Sequence, residues 1–171
     1  ATINLFRIAP SLTAVTFDGA ISPVASEDYS KIAFVVPSKA PGDTKAGLWI
    51  VDTADLPLGF SRDPRRITDG DLNSASWEFS PDGRQILLTT SSGVYLLDAG
   101  TFSPQNQRVN ISSRKEATLA SWKQQRQTKL SAQINSLTEE VADVLNRKAS
   151  QVLFSPDENK ILYTASGSAT L

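Results

Sequence analysis

The 171-residue sequence predicts a mainly β fold of antiparallel four-stranded units, about two complete and a third partial, with an inserted α-helical hairpin. Three observations predict it. The stretch SPDGRQILLT, Ser80 to Thr89, returns as SPDENKILYT at Ser155 to Thr164 and, more loosely, as SEDYSKIAFV at Ser26 to Val35. The segments around each copy recur in the same order. Between the second and third copies the apolar spacing changes from every second residue to steps of three and four.

The turn itself has a physical reading. Pro81 presets φ at the second position, Asp82 accepts local backbone bonds, and Gly83 takes a positive φ at little cost. The Ile-Leu-Leu run that follows is a short buried strand bounded by turn residues. In the first unit, 21–68, strands are expected at Ile21 to Ala25, Lys31 to Val36, Gly47 to Asp52 and Arg65 to Thr68. Pro37 to Gly47, PSKAPGDTKAG, has the composition of a long mobile hairpin loop, a place where recognition can sit. The second unit, 75–111, alternates over Ala75 to Phe79 and continues through the Ile86-Leu87-Leu88 run and Val94 to Asp98, with Gln107 to Ile111 as the candidate fourth strand. The third unit, 150–171, supplies two strands, and the N-terminal 1–20 supplies one or two more at Ile3 to Ile8 and Thr13 to Phe17. Four short strands in about 50 residues is the range of a propeller blade.

The segment ITDGDLNSASWEFSPDGRQILLTTSSGVYLLD, Ile67 to Asp98, resembles the repeat of TolB-type, WD-like β-propellers, which ends in an Arg-Arg-Ile-Thr strand and opens on SPDG. Prolyl-oligopeptidase-family enzymes build their propellers from the same repeat. The resemblance covers Ile21 to Ile111 and Ser150 to Ala165, about three-fifths of the chain. It implies propeller-type blades and a non-catalytic interaction or assembly module of a larger bacterial envelope or surface protein, hence a periplasmic or cell-surface location. The alternatives are the propeller part of a hydrolase whose catalytic domain lies elsewhere, and a self-assembling subunit that pairs through open sheet edges. Known propellers close with about four to eight blades, more than these units supply. A longer propeller of which this is an excerpt is the favoured answer, ahead of assembly between copies or a small sandwich. The start at Ala1 rather than Met fits a processed or excerpted chain, from which an export signal could have been removed.

Ser113 to Lys148 holds the helical spacing. Leu119, Trp122, Leu130, Ile134, Leu137, Val141 and Leu145 fall on one helical face, and Ser113–Glu116 and Ser136–Glu139 read as capping boxes. Helices are expected at 114–135 and 138–148. The segment carries seven Lys/Arg against four Asp/Glu, +3, while the remainder sums to −4. One reading is a docking arm for a protein partner or an acidic surface, carried by Trp122, Lys123, Arg126 and Lys129. The other is a hairpin that lays its apolar face on its own sheets and solvates its charges.

Composition bounds the chemistry. The net charge of −1 gives no global attraction to nucleic acid or anionic membrane, and no apolar run is long enough to span a bilayer. The absence of Cys and His excludes a thiolate nucleophile, a Ser-His-Asp triad and a His-ligated metal within these residues. No catalytic, cofactor or metal residue is therefore expected. Asp69-Gly70-Asp71-Leu72-Asn73 has calcium-loop oxygens at positions one, three and five, but Ser74 and Ser80 stand where Gly and Glu are needed, so a turn-capping role is preferred. Ser112-Ser113-Arg114-Lys115 has Ser-x-x-Lys spacing without companion motifs, and Asn110-Ile111-Ser112 is a glycosylation sequon. Trp49, Trp77 and Tyr95 lie on strands and read as core aromatics rather than a ligand platform.

Overall fold

In the computed structural model, which describes residues 16–17, 19–39, 43–53 and 63–166, each Ser-x-Asp turn bonds to itself before its strand begins. The Oγ of Ser26 donates to Asp28 Oδ1 at 2.6 Å and accepts the Lys31 amide at 3.0 Å. Ser80 repeats this with Asp82 at 2.6 Å and the Gln85 amide at 2.9 Å, and Ser155 Oγ accepts the Lys160 amide at 2.9 Å. A tight-turn bond runs from the fourth residue to the serine carbonyl in all three, at 2.9 Å for Tyr29 and Gly83 and 2.8 Å for Glu158. That fourth residue is left-handed every time, with φ of 56° at Tyr29, 66° at Gly83 and 55° at Glu158. Hydrogen bonding thus holds Tyr29 and Glu158 in a conformation that glycine adopts freely.

The turns set three antiparallel sheets. Strands β1 (Ile21–Ala25), β2 (Lys31–Val36), β3 (Gly47–Asp52) and β4 (Arg65–Asp69) form a four-stranded meander. A three-stranded meander contains β5 (Ser76–Phe79), β6 (Gln85–Thr90) and β7 (Gly93–Asp98), and a two-stranded sheet contains β8 (Ala149–Phe154) and β9 (Ile161–Ala165). The register of β1 on β2 shifts between Ile21 and Val24, where Ser22 has φ 53° and Pro23 has no amide to donate. The N-terminal strands expected within 1–20 fall almost wholly outside the described residues.

The first two sheets share one core. Ala33 and Val35 of β2 and Leu48 and Ile50 of β3 pack against Ile86 and Leu88 of β6, Phe79 of β5 and Leu97 of β7. The sheets stack in the same sense. Ala33 is seventh after its turn serine and Leu88 is eighth after its own, so one side of the first sheet meets the opposite side of the second. On the far side of the first sheet, Phe34, Val36 and Val51 are covered by Phe17 and Trp49, whose rings meet edge-on at 4.6 Å.

The far side of the second sheet is covered by a helix. Strand β7 is followed by α1 (Lys115–Asn135) and α2 (Glu139–Lys148), and Leu119 and Trp122 of α1 lie on Leu87, Val94 and Leu96 beside Ile111. Trp122 is 4% exposed, so the hairpin lays its apolar side on its own sheet. Burial of that side chain stabilises the contact by roughly 2–3 kcal/mol.

Three expectations need correction. Gln107 to Ile111 makes only a single bridge, Asn110 to Tyr95, and the sheet stops at three strands. The cause is upstream. The Gln105 amide donates to Asp69 Oδ1 at 2.5 Å, Arg108 Nε donates to Thr68 Oγ1 at 2.8 Å, and Arg108 Nη2 reaches the Asp69 carbonyl. These bonds pin the segment to β4, and it meets β7 only at its end. Neither capping box forms: Arg114 and Thr138 occupy the N-cap positions without side-chain caps, while Ser136 ends α1 and donates to the Gln133 carbonyl at 2.7 Å. A short 3-10 turn, Ser112–Arg114, feeds directly into α1 and displaces Ser113 from the cap. Finally, the apolar helical face is not continuous, because Val141 is exposed while Ile134 and Leu145 are buried.

Two glycine substitutions separate strain from collision. A Cβ at Gly47 (φ 143°) would overlap the Thr68 carbonyl oxygen on β4, whereas one at Gly83 would find its nearest neighbour, Ser26 Cβ, at 3.6 Å. Gly47→Ala is expected to cost about 2–3 kcal/mol and Gly83→Ala about 1 kcal/mol in denaturant unfolding. Equal costs would contradict the sheet register.

Candidate functional site

The first strand of each unit runs toward a common cleft. It has a volume of about 610 Å³ and is lined by the end of β1 and its turn (Val24 to Tyr29), the end of β5 (Glu78, Phe79), α1 (Arg126, Lys129, Leu130, Gln133) and β8 with its turn (Val152 to Pro156, Glu158). The turn repetition brings two of these walls in, and the hairpin lays α1 across them.

Arg126 organises the floor. Its guanidinium donates to Glu27 Oε2 at 3.2 Å, Glu78 Oε1 at 3.0 Å and the Phe79 carbonyl at 3.1 Å. One helix residue therefore ties the first turn, β5 and α1 together. Gln133, two turns along α1, donates from Nε2 to Glu158 Oε1 at 2.8 Å and connects the helix to the third turn. The walls are acidic at Glu27, Asp28, Glu78 and Glu158 and basic at Arg126 and Lys129, with Tyr29 and Val152 giving apolar area. The rim hydroxyls of Ser26 and Ser155 are engaged in their own turns. The cleft offers ion pairing and apolar contact.

The four residues expected to meet a partner take different positions. Trp122 is in the core under α1, and Arg126 is bound up in the clamp just described. Neither presents a free recognition surface. Lys123 and Lys129 are exposed, and only Lys129 and Arg126 line the cleft. Glu27, Tyr29, Glu78, Gln133 and Glu158 were not legible as a group, because they come from four separate segments. The one available signal was the turn alignment, which places Tyr29 and Glu158 at equivalent positions.

The other motifs resolve into local structure. Asp69 and Asp71 accept the Gln105 and Asn73 amides, the latter at 3.1 Å, so these carboxylates cap backbone. Ser112 Oγ accepts the Val94 amide at 3.1 Å and donates to Asn110 Oδ1 at 2.7 Å, which fastens the chain to β7. Trp77 and Tyr95 pack against the shared core, and Trp49 donates its indole N–H to the Lys45 carbonyl at 2.8 Å. The described ends of the Pro37 to Gly47 loop are gathered by Asp43, which accepts the Lys45 amide at 2.9 Å and the Lys39 amide at 3.2 Å. No helix among the described residues is long and apolar enough to cross a membrane.

The turn carboxylates are held ionised. Burial opposes ionisation of Asp28, but hydrogen bonds from Ser26 and Ser30 and the nearby Lys31 charge outweigh it, taking the pKa from 3.8 to about 2. The bond from the turn serine is the leading cause of a lowered pKa at Asp82 and at Asp157. No protein-family model matches the chain, and no curated protein matches it.

Two outcomes follow for the clamp and the turns. Arg126→Met is expected to destabilise the fold by about 1 kcal/mol and to speed amide exchange in α1 before that of β6, because partly exposed ion pairs are worth little individually. Unchanged exchange in α1 would contradict the clamp. A carboxylate whose pKa falls on folding stabilises above its unfolded pKa and loses that contribution as pH drops through the folded one. Asp28→Asn is therefore expected to lower stability at pH 7 by about 1 kcal/mol, after allowance for solvent screening, and to flatten the loss between about pH 4 and pH 2. An acid limb of unchanged slope would contradict it.

Proposed function

We propose that the chain is a non-catalytic, propeller-type interaction module of a larger bacterial envelope or surface protein. The single observation that supports this reading best is the convergence of the first strands of all three units on one cleft. Two further features agree with it. The first two sheets stack front to back, a relation that can be repeated around an axis, unlike the face-to-face relation of a two-fold sandwich. The turns that begin each second strand are alike to within a few tenths of an ångström in their serine bonds.

Interaction rather than catalysis is the use that the cleft's chemistry supports. Its serine hydroxyls serve its turns, and its charges form an ion-pair network open to solvent on the Lys129 side. Such a surface fits a protein segment of mixed polarity. The bacterial envelope location follows the resemblance of the repeat to TolB-type propellers.

A photo-crosslinking amino acid at Lys129, on the cleft wall, tests the proposal in the full-length protein within bacterial cells. The expected result is an adduct with one protein of the envelope fraction, absent when the probe is moved to Lys39 on the first sheet's loop. Equal labelling from both positions, or peptide-bond hydrolysis by the purified full-length protein, would overturn it.

A further inference from the structure

The fourth residue of each Ser-x-Asp turn is left-handed, yet two of the three turns keep a side chain there, and those two stand on the cleft. Tyr29 and Glu158 both line it. The second turn has Gly83 instead and lies outside the lining, packed on the first turn: a Cβ at Gly83 would meet Ser26 Cβ at 3.6 Å and Asp28 Oδ1 at 3.9 Å. A side chain in this backbone region costs stability that glycine would not. Among the turns, the chain carries that strain only where the residue faces the cleft.

We propose that Tyr29 and Glu158 recognise a cationic side chain, arginine before lysine, on a protein segment laid in the cleft. This names the partner chemistry of the interaction module proposed above and rests on that reading.

Charge, ring and shape support it independently of the strain. Four carboxylates line the cleft, Glu27, Asp28, Glu78 and Glu158, against two cations, Arg126 and Lys129. Arg126 spends its guanidinium on Glu27, Glu78 and the Phe79 carbonyl, and Lys31 stands beside Asp28. Glu27 Oε1, Glu78 Oε2 and Glu158 Oε2 still have no donor among the described residues, since only the other oxygen of each is bonded. A cation is thus drawn in and an acidic segment repelled.

The Tyr29 side chain is 59% exposed, an open aromatic ring on a wall that also carries carboxylates. A guanidinium gains from both, stacking on the ring and donating in a planar fork to carboxylate, which an ammonium cannot match. The protein makes such stacks itself, Arg108 over the Tyr95 ring at 5.6 Å and Arg66 over the Phe102 ring at 5.7 Å. Leu130 and Val152 supply apolar wall for the methylene stem, and about 610 Å³ admits the side chain with part of its segment.

The test titrates the isotope-labelled 171-residue protein with acetyl-Ala-Leu-Arg-Leu-Ala-amide. Parallel titrations use peptides carrying citrulline, lysine or glutamate in place of arginine. Saturable shifts are expected at Tyr29, at Glu158 and at the Gln133 side-chain amide, with a Kd below about 1 mM. Citrulline keeps the shape of arginine without its charge and should bind about tenfold more weakly or worse, lysine severalfold more weakly, and glutamate not at all. Tyr29→Gly and Glu158→Gly relieve the turn strain, so each should keep or raise the unfolding midpoint while weakening arginine-peptide binding about tenfold. A purely structural role for either residue would not produce that pairing. Equal affinity for the arginine and citrulline peptides, or unchanged binding in both glycine variants, would overturn the proposal. So would loss of stability in step with loss of binding, or a preference for the glutamate peptide, which would assign the cleft to acidic segments through Lys129. Absence of arginine preference with the Lys129 adduct retained would sink the cation site alone, whereas loss of that adduct bears on the interaction role itself.

Discussion

The hydroxyl of the turn serine is the group on which the sheets depend. At Ser26, Ser80 and Ser155 it accepts the amide five residues on, and at the first two it donates to the aspartate two residues on within 2.6 Å. This closes the loop and fixes where the second strand starts. A one-residue slip would turn Ala33 and Val35, or Ile86 and Leu88, to the wrong side of the sheet and dissolve the shared core. Ser26 and Ser80 are buried, where a hydroxyl without partners would be costly, so the turn is either fully bonded or absent. The lowered pKa values of Asp28 and Asp82 carry the electrostatic trace of those serine bonds.

The helical hairpin then decides how the third unit is placed. Front-to-back stacking leaves Leu87 and Val94 of the second sheet facing outward, where a further sheet would repeat the relation. Trp122 and Leu119 occupy that face instead. The hairpin is thus a packing element between the second and third units as well as an insertion. Arg126 and Gln133 extend its reach into the turns of the first and third. The cost of this arrangement is visible in the third unit, whose β9 keeps large apolar side chains in solvent.

Much of the fold was legible because it is local. The first unit's strands have the bounds read from period and turn chemistry, except that β4 runs one residue further, to Asp69. The α-helices lie within one residue of expectation. What was not legible depends on contacts between distant residues. The Ser113–Glu116 spacing fits a capping box, but Ser112 is drawn to the Val94 amide and the chain enters α1 through a 3-10 turn. Gln107 to Ile111 alternates like a strand, yet Arg108 is held by Thr68 some forty positions earlier. The candidate site was read in part. Sequence found the basic helix, but could not tell that Trp122 points inward or that Arg126 has two glutamates waiting on other elements.

The position of α1 on the second sheet is the central claim, since the cleft is built on it and the outward face of the second sheet is covered by it. Nuclear Overhauser contacts from the Trp122 indole in the isotope-labelled protein test it directly. The expected result is contact with the Leu87 and Val94 methyl groups and none between those methyls and β9. Contacts from Leu87 or Val94 to Tyr163 or Leu162, with Trp122 in solvent, would contradict it.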